Sequence, residues 1–162
     1  MLPTIDALKP HFQSQNFNVP KLQFFDGERN VNHMLREYTP LWRESMKEVD
    51  STWWGYQDHI FVECYMKWLE RVWKHPSQGE KIKLISNRTN LEKNLEDRVL
   101  HRSIKYISKK AEFTTTVWVL GSYIVMIFTR AKPHYAFQIH DGLFASNLRT
   151  VSKIMWEDIA KA

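Results

Sequence analysis

Helices and strands alternate along most of this chain, which predicts an α/β sandwich built on a mixed sheet, in the order β-α-β-α-β-α-β-β-β-α. Three observations carry that expectation. Between Lys21 and Arg98 the apolar pattern switches repeatedly between the strand period of two and the helical period of three to four. Phe113 to Leu120 and Tyr123 to Thr129 are apolar, β-branched runs separated only by Gly121-Ser122. That pair suits a two-residue type II′ hairpin turn, because glycine supplies the positive φ at its first position. An amphipathic helix then closes the chain from Asp141.

Taken in order, residues 1–20 form an appendage and residues 21–162 the domain. Ile5, Leu8 and Phe12 recur at helical spacing, with Pro3 suited to a helix start, and a polar linker runs from Gln13 to Pro20. So short an amphipathic piece is not stable alone and must pack on the domain or on another chain. Lys21 to Phe25 reads as a strand ended by the turn dipeptide Asp26-Gly27. A helix from about Glu28 buries Val31, Leu35 and Tyr38; Pro40 kinks it or starts a second turn carrying Leu41, Trp42 and Met46. Val49 to Tyr56 is rich in β-branched and aromatic residues and makes the second strand.

Asp58 is placed to cap a helix running to about Lys74, with Phe61, Tyr65, Trp68 and Val72 on one stripe. Glu80 to Ser86 alternates as a strand. Thr89 and Glu92 form a capping-box pattern ahead of Leu91, Leu95 and Val99. Short extended stretches follow: Lys105 to Ile107, the hairpin, and His134 to His140. The last helix is expected to bury Phe144, Leu148, Val151, Met155 and Ile159, with Trp156 beside them.

Composition narrows the class. The chain has 162 residues, 43% hydrophobic, with seven Trp, nine Phe and six Tyr, enough for one well-filled core. No apolar run approaches the roughly 20 residues of a membrane-spanning helix, and Lys9-Pro10-His11 interrupts any signal-like segment. Cys64 is the single cysteine, so an intrachain disulfide and a multi-thiolate zinc site are excluded. A cytoplasmic location is the expectation.

Chemistry-bearing motifs are sparse. The sequence has no Walker A loop, no G-x-G-x-x-G and no G-x-S-x-G elbow. His59, Cys64 and His75 do not share a helical face, and His134 and His140 sit at two ends of one strand, so no metal site and no cofactor is expected. Glu63, Glu70, Glu92, Glu96 and Asp97 each have a basic neighbour at helical spacing and read as surface ion pairs. The net charge of +5 is concentrated in Arg98, Arg102, Lys105, Lys109 and Lys110, a solvated face or, in the alternative, a phosphate-contacting surface. Most of the tryptophans read as core.

Leu22-Gln-Phe-Phe-Asp-Gly27, the paired strands Thr116-Val-Trp-Val-Leu-Gly-Ser-Tyr-Ile-Val-Met-Ile127, and the closing helix Leu148 to Glu157 together resemble the C-terminal regulatory domain of TrmB-type transcriptional regulators. The resemblance implies a phospholipase-D-like fold, with residues 3–12 as the tail of a connecting helix. It also implies DNA contact only through a separate winged-helix domain that this chain does not include. The wider superfamily cleaves phosphodiesters with H-x-K-x4-D. If Gly121 takes the place of the glycine after that motif, the three slots hold Phe113, Thr115 and Leu120, and the covalent route through an imidazole is closed. The expectation is therefore a non-catalytic domain that senses a small-molecule effector and pairs as a homodimer. Trp54, Tyr56, Thr114, Thr115 and Thr116 are the candidate ligand residues, and Ile5, Leu8 and Phe12 the dimer contacts. The alternative is a stand-alone nucleic-acid-binding accessory protein using the basic residues 98–110.

Overall fold

The computed structural model describes residues 19–98 and 102–159, with the side chains of residues 95–98 left out. Seven strands, β1 (Lys21–Asp26), β2 (Thr52–Gln57), β3 (Lys81–Ser86), β4 (Arg102–Tyr106), β5 (Thr116–Leu120), β6 (Tyr123–Phe128) and β7 (Tyr135–His140), form one sheet in the order β1-β7-β6-β5-β2-β3-β4. Pairs β2–β3 and β3–β4 are parallel, and every other pair is antiparallel. Among the described residues four helices accompany it: α1 (Glu28–Lys47), α2 (His59–Lys74), α3 (Asn90–Arg98) and α4 (Gly142–Asp158). The mixed α/β sandwich is as expected, with one strand more: the stretch around Lys105 is a full sheet member running from Arg102 to Tyr106.

The first face of the sheet carries α1 and α2, with α3 packed beside α2. Its core centres on Trp118 of β5, whose ring meets Trp42, Trp53, Phe61 and Trp68 at centroid distances of 5.2–6.3 Å. The expected stripe Phe61, Tyr65, Trp68, Val72 lies in this core. Pro40 falls inside a continuous α1, where Leu41 points outward while Trp42 and Met46 are buried. Trp42 donates its indole hydrogen to Gln138 Oε1 at 2.6 Å, tying α1 to β7.

The second face is covered by α4 alone among the described helices, over β2, β3, β5 and β6. Here the sequence-based register needs correction. Phe144 and Val151 are 43% and 50% exposed, and the inward face is Ala145, Leu148 and Arg149. Small Ala145 lets the helix approach the strands. Arg149 enters because its guanidinium donates to the Gly121 carbonyl at the hairpin turn; burial lowers its pKa below the ordinary arginine value. Gly121 has φ +61°, and a Cβ there would stand 2.4 Å from the Ser45 backbone carbonyl carbon, so only glycine fits.

Candidate functional site

Parallel strands β2, β3 and β4 deliver their carboxyl ends to one edge of the sheet. In open α/β sheets this is where connecting loops leave a crevice for ligands. Each strand is followed at once by polar residues: Asp58-His59 after β2, Asn87-Arg88-Thr89 after β3, and Ser108-Lys109 shortly after β4. All of these but Asp58 line a cleft of about 290 Å3, together with Ile107, Ala111 and Glu112.

Asp58, directly before His59, supports the cleft through its neighbours without lining it. It is fully buried, caps α2 by accepting from the Ile60 N–H at 3.1 Å, and receives the Arg130 guanidinium at 2.7 and 2.9 Å. Arg130 reaches on to Glu112 Oε1 at 2.8 Å. The hydrogen bonds to Asp58 and then to Glu112 raise the arginine's pKa, and the same contact holds the Glu112 carboxyl below its usual value. Two acids of the site are thereby matched to one cation.

Asn87 is the clamp. Its Oδ1 accepts from the Phe113 N–H and its Nδ2 donates to the Phe113 carbonyl, both at 2.8 Å. The side chain thus acts toward Phe113 as a neighbouring strand would. Asn87 Nδ2 also lies 3.0 Å from His59 Nδ1, a ring nitrogen that stands 3.5 Å from Asp58 Oδ1 and 3.8 Å from Glu112 Oε1. Besides Glu112, which shares Arg130 with Asp58, the polar groups facing the cleft are Arg88, Lys109, His59 and the hydroxyls of Thr89 and Ser108, with Arg88 lying over the Tyr106 ring at 5.6 Å. The first residues of α2 and α3 also lie at this edge; the Asp58 carboxylate already caps the α2 start, so the α3 start is the one that adds partial positive charge. The arrangement is suited to a small anion.

The slots expected to hold the catalytic motif have a different content. Phe113 stacks on Tyr56, centroids 4.5 Å apart and planes 15° from parallel. Thr115 is half-buried and Leu120 lies in the core. No imidazole or ammonium occupies these three positions.

The five candidate ligand residues do not converge. Trp54 is 6% exposed beneath α4, donates to Asp50 Oδ2 at 2.9 Å and meets the edge of Trp156; it is a core residue of the second face. Thr116 is fully buried on the opposite face, its hydroxyl oxygen accepting from the Asp58 N–H at 3.1 Å, so burial keeps it from a ligand. Tyr56, Thr114 and Thr115 flank Phe113 beside the cleft without lining it.

The basic run disperses as well. Arg102 is 4% exposed and paired with buried Glu92, which corrects both its place on a phosphate-facing surface and the reading of Glu92 as a surface charge. Lys105 donates to the Trp156 carbonyl and lies over its ring at 4.7 Å. Lys109 lines the cleft, Lys110 is exposed, and the Arg98 side chain lies outside the described residues, as do Ile5, Leu8 and Phe12. His134 and His140 are hydrogen-bonded at the two ends of β7, to the Tyr65 hydroxyl and to Ser122 Oγ, both at 2.9 Å. His59, Asn87 and Arg88 were the residues missed. The available signal was their position directly after strands two and three of a β-α-β-α-β run.

No protein-family model and no curated protein matches this chain. Solved structures do. NucT from Helicobacter pylori aligns with a TM-score of 0.57 at 8% identity, over 89% of this chain and 100% of that one. TrmBL2, an archaeal chromatin protein with a novel mode of DNA binding, aligns with a TM-score of 0.53 at 11% identity, over 96% of this chain. This chain spans 59% of the TrmBL2 chain. The fold is the phospholipase-D-like mixed α/β sandwich.

Proposed function

We propose that this chain is a non-catalytic regulatory domain of a DNA-associated, TrmB-like protein, and that it binds a small anionic effector in the His59–Asn87–Lys109 cleft. One observation carries the reading. The polar cleft lies where three parallel strands end, while the adjoining motif slots hold Phe113 stacked on Tyr56 instead of a nucleophile. Binding supports regulation because Asn87 and Arg130 both hold the Glu112–Phe113 segment. An anion drawing on Arg88, Lys109 and the α3 start would tighten that segment, and differential affinity for the tightened form is what shifts a population. The similarity to TrmBL2 supports the DNA-associated setting.

Binding of nucleic acid directly through residues 98–110 is the weaker reading, since Arg102 is inside the protein and Lys105 is held against Trp156. The test is a thermal-shift and calorimetric screen with inorganic phosphate, sugar phosphates, nucleoside monophosphates and dicarboxylates, alongside a duplex DNA titration at two salt concentrations. The expected result is a stabilising small anion whose effect is lost in Arg88→Glu and Lys109→Glu. Salt-sensitive duplex binding with no small-anion response would overturn the reading.

A further inference from the structure

The sheet edge that carries the cleft continues beyond it. Strands β1 and β6 end there and β7 begins there, with Asp26 and Phe128 both registered against Tyr135. The Gly27 N–H donates to the His134 carbonyl at 2.8 Å, which ties the entry of α1 to the entry of β7. A second cavity, of about 480 Å3, lies between these entries and α2. It shares no lining residue with the His59–Asn87–Lys109 cleft, although Ile60 and Thr129 on its wall adjoin His59 and Arg130 in the chain.

Thr129 lines this cavity and is 3% exposed, yet its Oγ1 has no hydrogen-bond partner among the described residues. A buried hydroxyl left so costs stability unless something in the cavity bonds to it. Glu28 and Lys132 line the same cavity, both exposed, and form no ion pair with each other among the described residues. Both charges reach Cys64, also on the wall. Desolvation and then Glu28 hold its thiol above the ordinary pKa, while Lys132 draws it down. Cys64 stands one turn beyond Ile60 on α2, and with Pro133 they supply an apolar side. His134 is a fixed part of the wall, 6% exposed and bonded to the Tyr65 hydroxyl at 2.9 Å.

We propose that this cavity binds a zwitterionic α-amino acid with an aliphatic side chain. Glu28 receives the ammonium group. Lys132 and the Thr129 hydroxyl, three residues apart on one connection, hold the carboxylate. The side chain lies against Ile60, Pro133 and the Cys64 thiol. The two unpaired charges select this class: Glu28 repels a simple anion, Lys132 repels a simple cation, and a neutral ligand answers neither. The volume of about 480 Å3 is within the range of small-ligand pockets, roughly 300–1,000 Å3. Nothing in this site depends on the anion cleft.

Calorimetry on the full chain with L-leucine and L-valine tests the proposal, beside leucinamide and N-acetyl-leucine, which each lack one charge of leucine. At least one of the two amino acids should bind saturably with a Kd below about 1 mM, and each single-charge analogue about tenfold weaker or more. Glu28→Gln and Lys132→Met, both at exposed positions that leave folding intact, should each weaken binding about tenfold or more. Thr129→Val should weaken it roughly three- to tenfold while the unfolding midpoint stays unchanged or rises, because an unmatched hydroxyl is removed. Cys64 is the single cysteine, so slower alkylation by iodoacetamide at saturating amino acid locates the ligand. Arg88→Glu and Lys109→Glu should leave the affinity within about twofold, which separates failure here from failure of the anion reading. The proposal is overturned if neither amino acid binds at about 10 mM, or if the single-charge analogues bind equally well. It is overturned equally if the Glu28 and Lys132 variants bind as wild type, if saturation leaves Cys64 alkylation unslowed, or if the Arg88 and Lys109 variants abolish binding.

Discussion

Arg102 and Glu92 face each other inside the protein, joined by a charge-assisted hydrogen bond, with neither side chain reaching solvent. Glu92 also accepts from Gln57 Nε2 and Ser86 Oγ, both at 2.7 Å, so α3, β2, β3 and β4 meet at one carboxylate. Removing one charge leaves the other desolvated and unmatched. Arg102→Met should therefore cost about 3–5 kcal/mol in urea unfolding, whereas Glu92→Leu combined with Arg102→Met should recover only part of that loss, because Gln57 Nε2 then lacks its acceptor. Equal stability of wild type and single variant would show that the pair is solvated.

Gly55 sits where the parallel and antiparallel halves of the sheet join, opposite Trp118 of β5. Its φ is +135°, and a Cβ would stand 2.0 Å from the Val117 carbonyl oxygen. Gly55→Ala cannot relieve that contact by turning a side chain, since the obstacle is backbone. It should separate β2 from β5 and lower stability by about 3 kcal/mol or more, or yield insoluble protein. Circular dichroism melts against wild type decide it.

The fold was legible where one periodicity belonged to one element. The stripe Phe61 to Val72, the Asp58 cap and the Gly121-Ser122 turn all appear as the residues dictate. Legibility failed where tertiary neighbours decide. Phe144 and Ala145 are adjacent on α4, and apolarity favoured Phe144; closeness to the strands and the Gly121 carbonyl favoured Ala145 and Arg149. Arg102 read as a surface cation because Glu92, ten residues earlier, is its neighbour only once β3 and β4 pair. The cleft escaped for the same reason, since His59, Asn87 and Lys109 are brought together by strand ends and not by any local spacing.

Buried tyrosines and an exposed carboxylate give opposite limbs to the pH dependence of stability. Burial raises the Tyr65 pKa well above its ordinary value of 10.0, and its hydroxyl is bonded to His134. The folded state keeps this proton where the unfolded chain releases it, so the contribution is complete below about pH 10 and falls as pH rises further. Tyr123, also raised by burial, acts in the same sense. Tyr65→Phe should therefore lose less stability than wild type between pH 9 and pH 11. Glu112 is lowered by Arg130, so its contribution is present above the ordinary value of 4.5 and disappears as pH falls through the lower folded value. Glu112→Gln should flatten that acid limb, and added salt should flatten the wild-type limb too, because Glu112 is exposed. Urea midpoints across both ranges test the two signs separately.

Asn87 and Lys109 separate the cleft's framework from its charge. Asn87 is 5% exposed and holds Phe113 by both backbone groups, so Asn87→Ala should leave buried donors and acceptors unmatched and cost about 1–3 kcal/mol. Lys109 is exposed at the rim, and Lys109→Ala should leave stability within about 0.5 kcal/mol of wild type. Their effects on an anion identified in the screen should divide differently. Lys109→Ala weakens binding through lost attraction alone, by roughly three- to thirtyfold, with a reduced salt dependence. Asn87→Ala weakens it through the slackened Phe113 segment and keeps the wild-type salt dependence. If both variants changed the salt slope equally, the clamp would have no role apart from the charge, and the proposed tightening of residues 112–113 would fall with it.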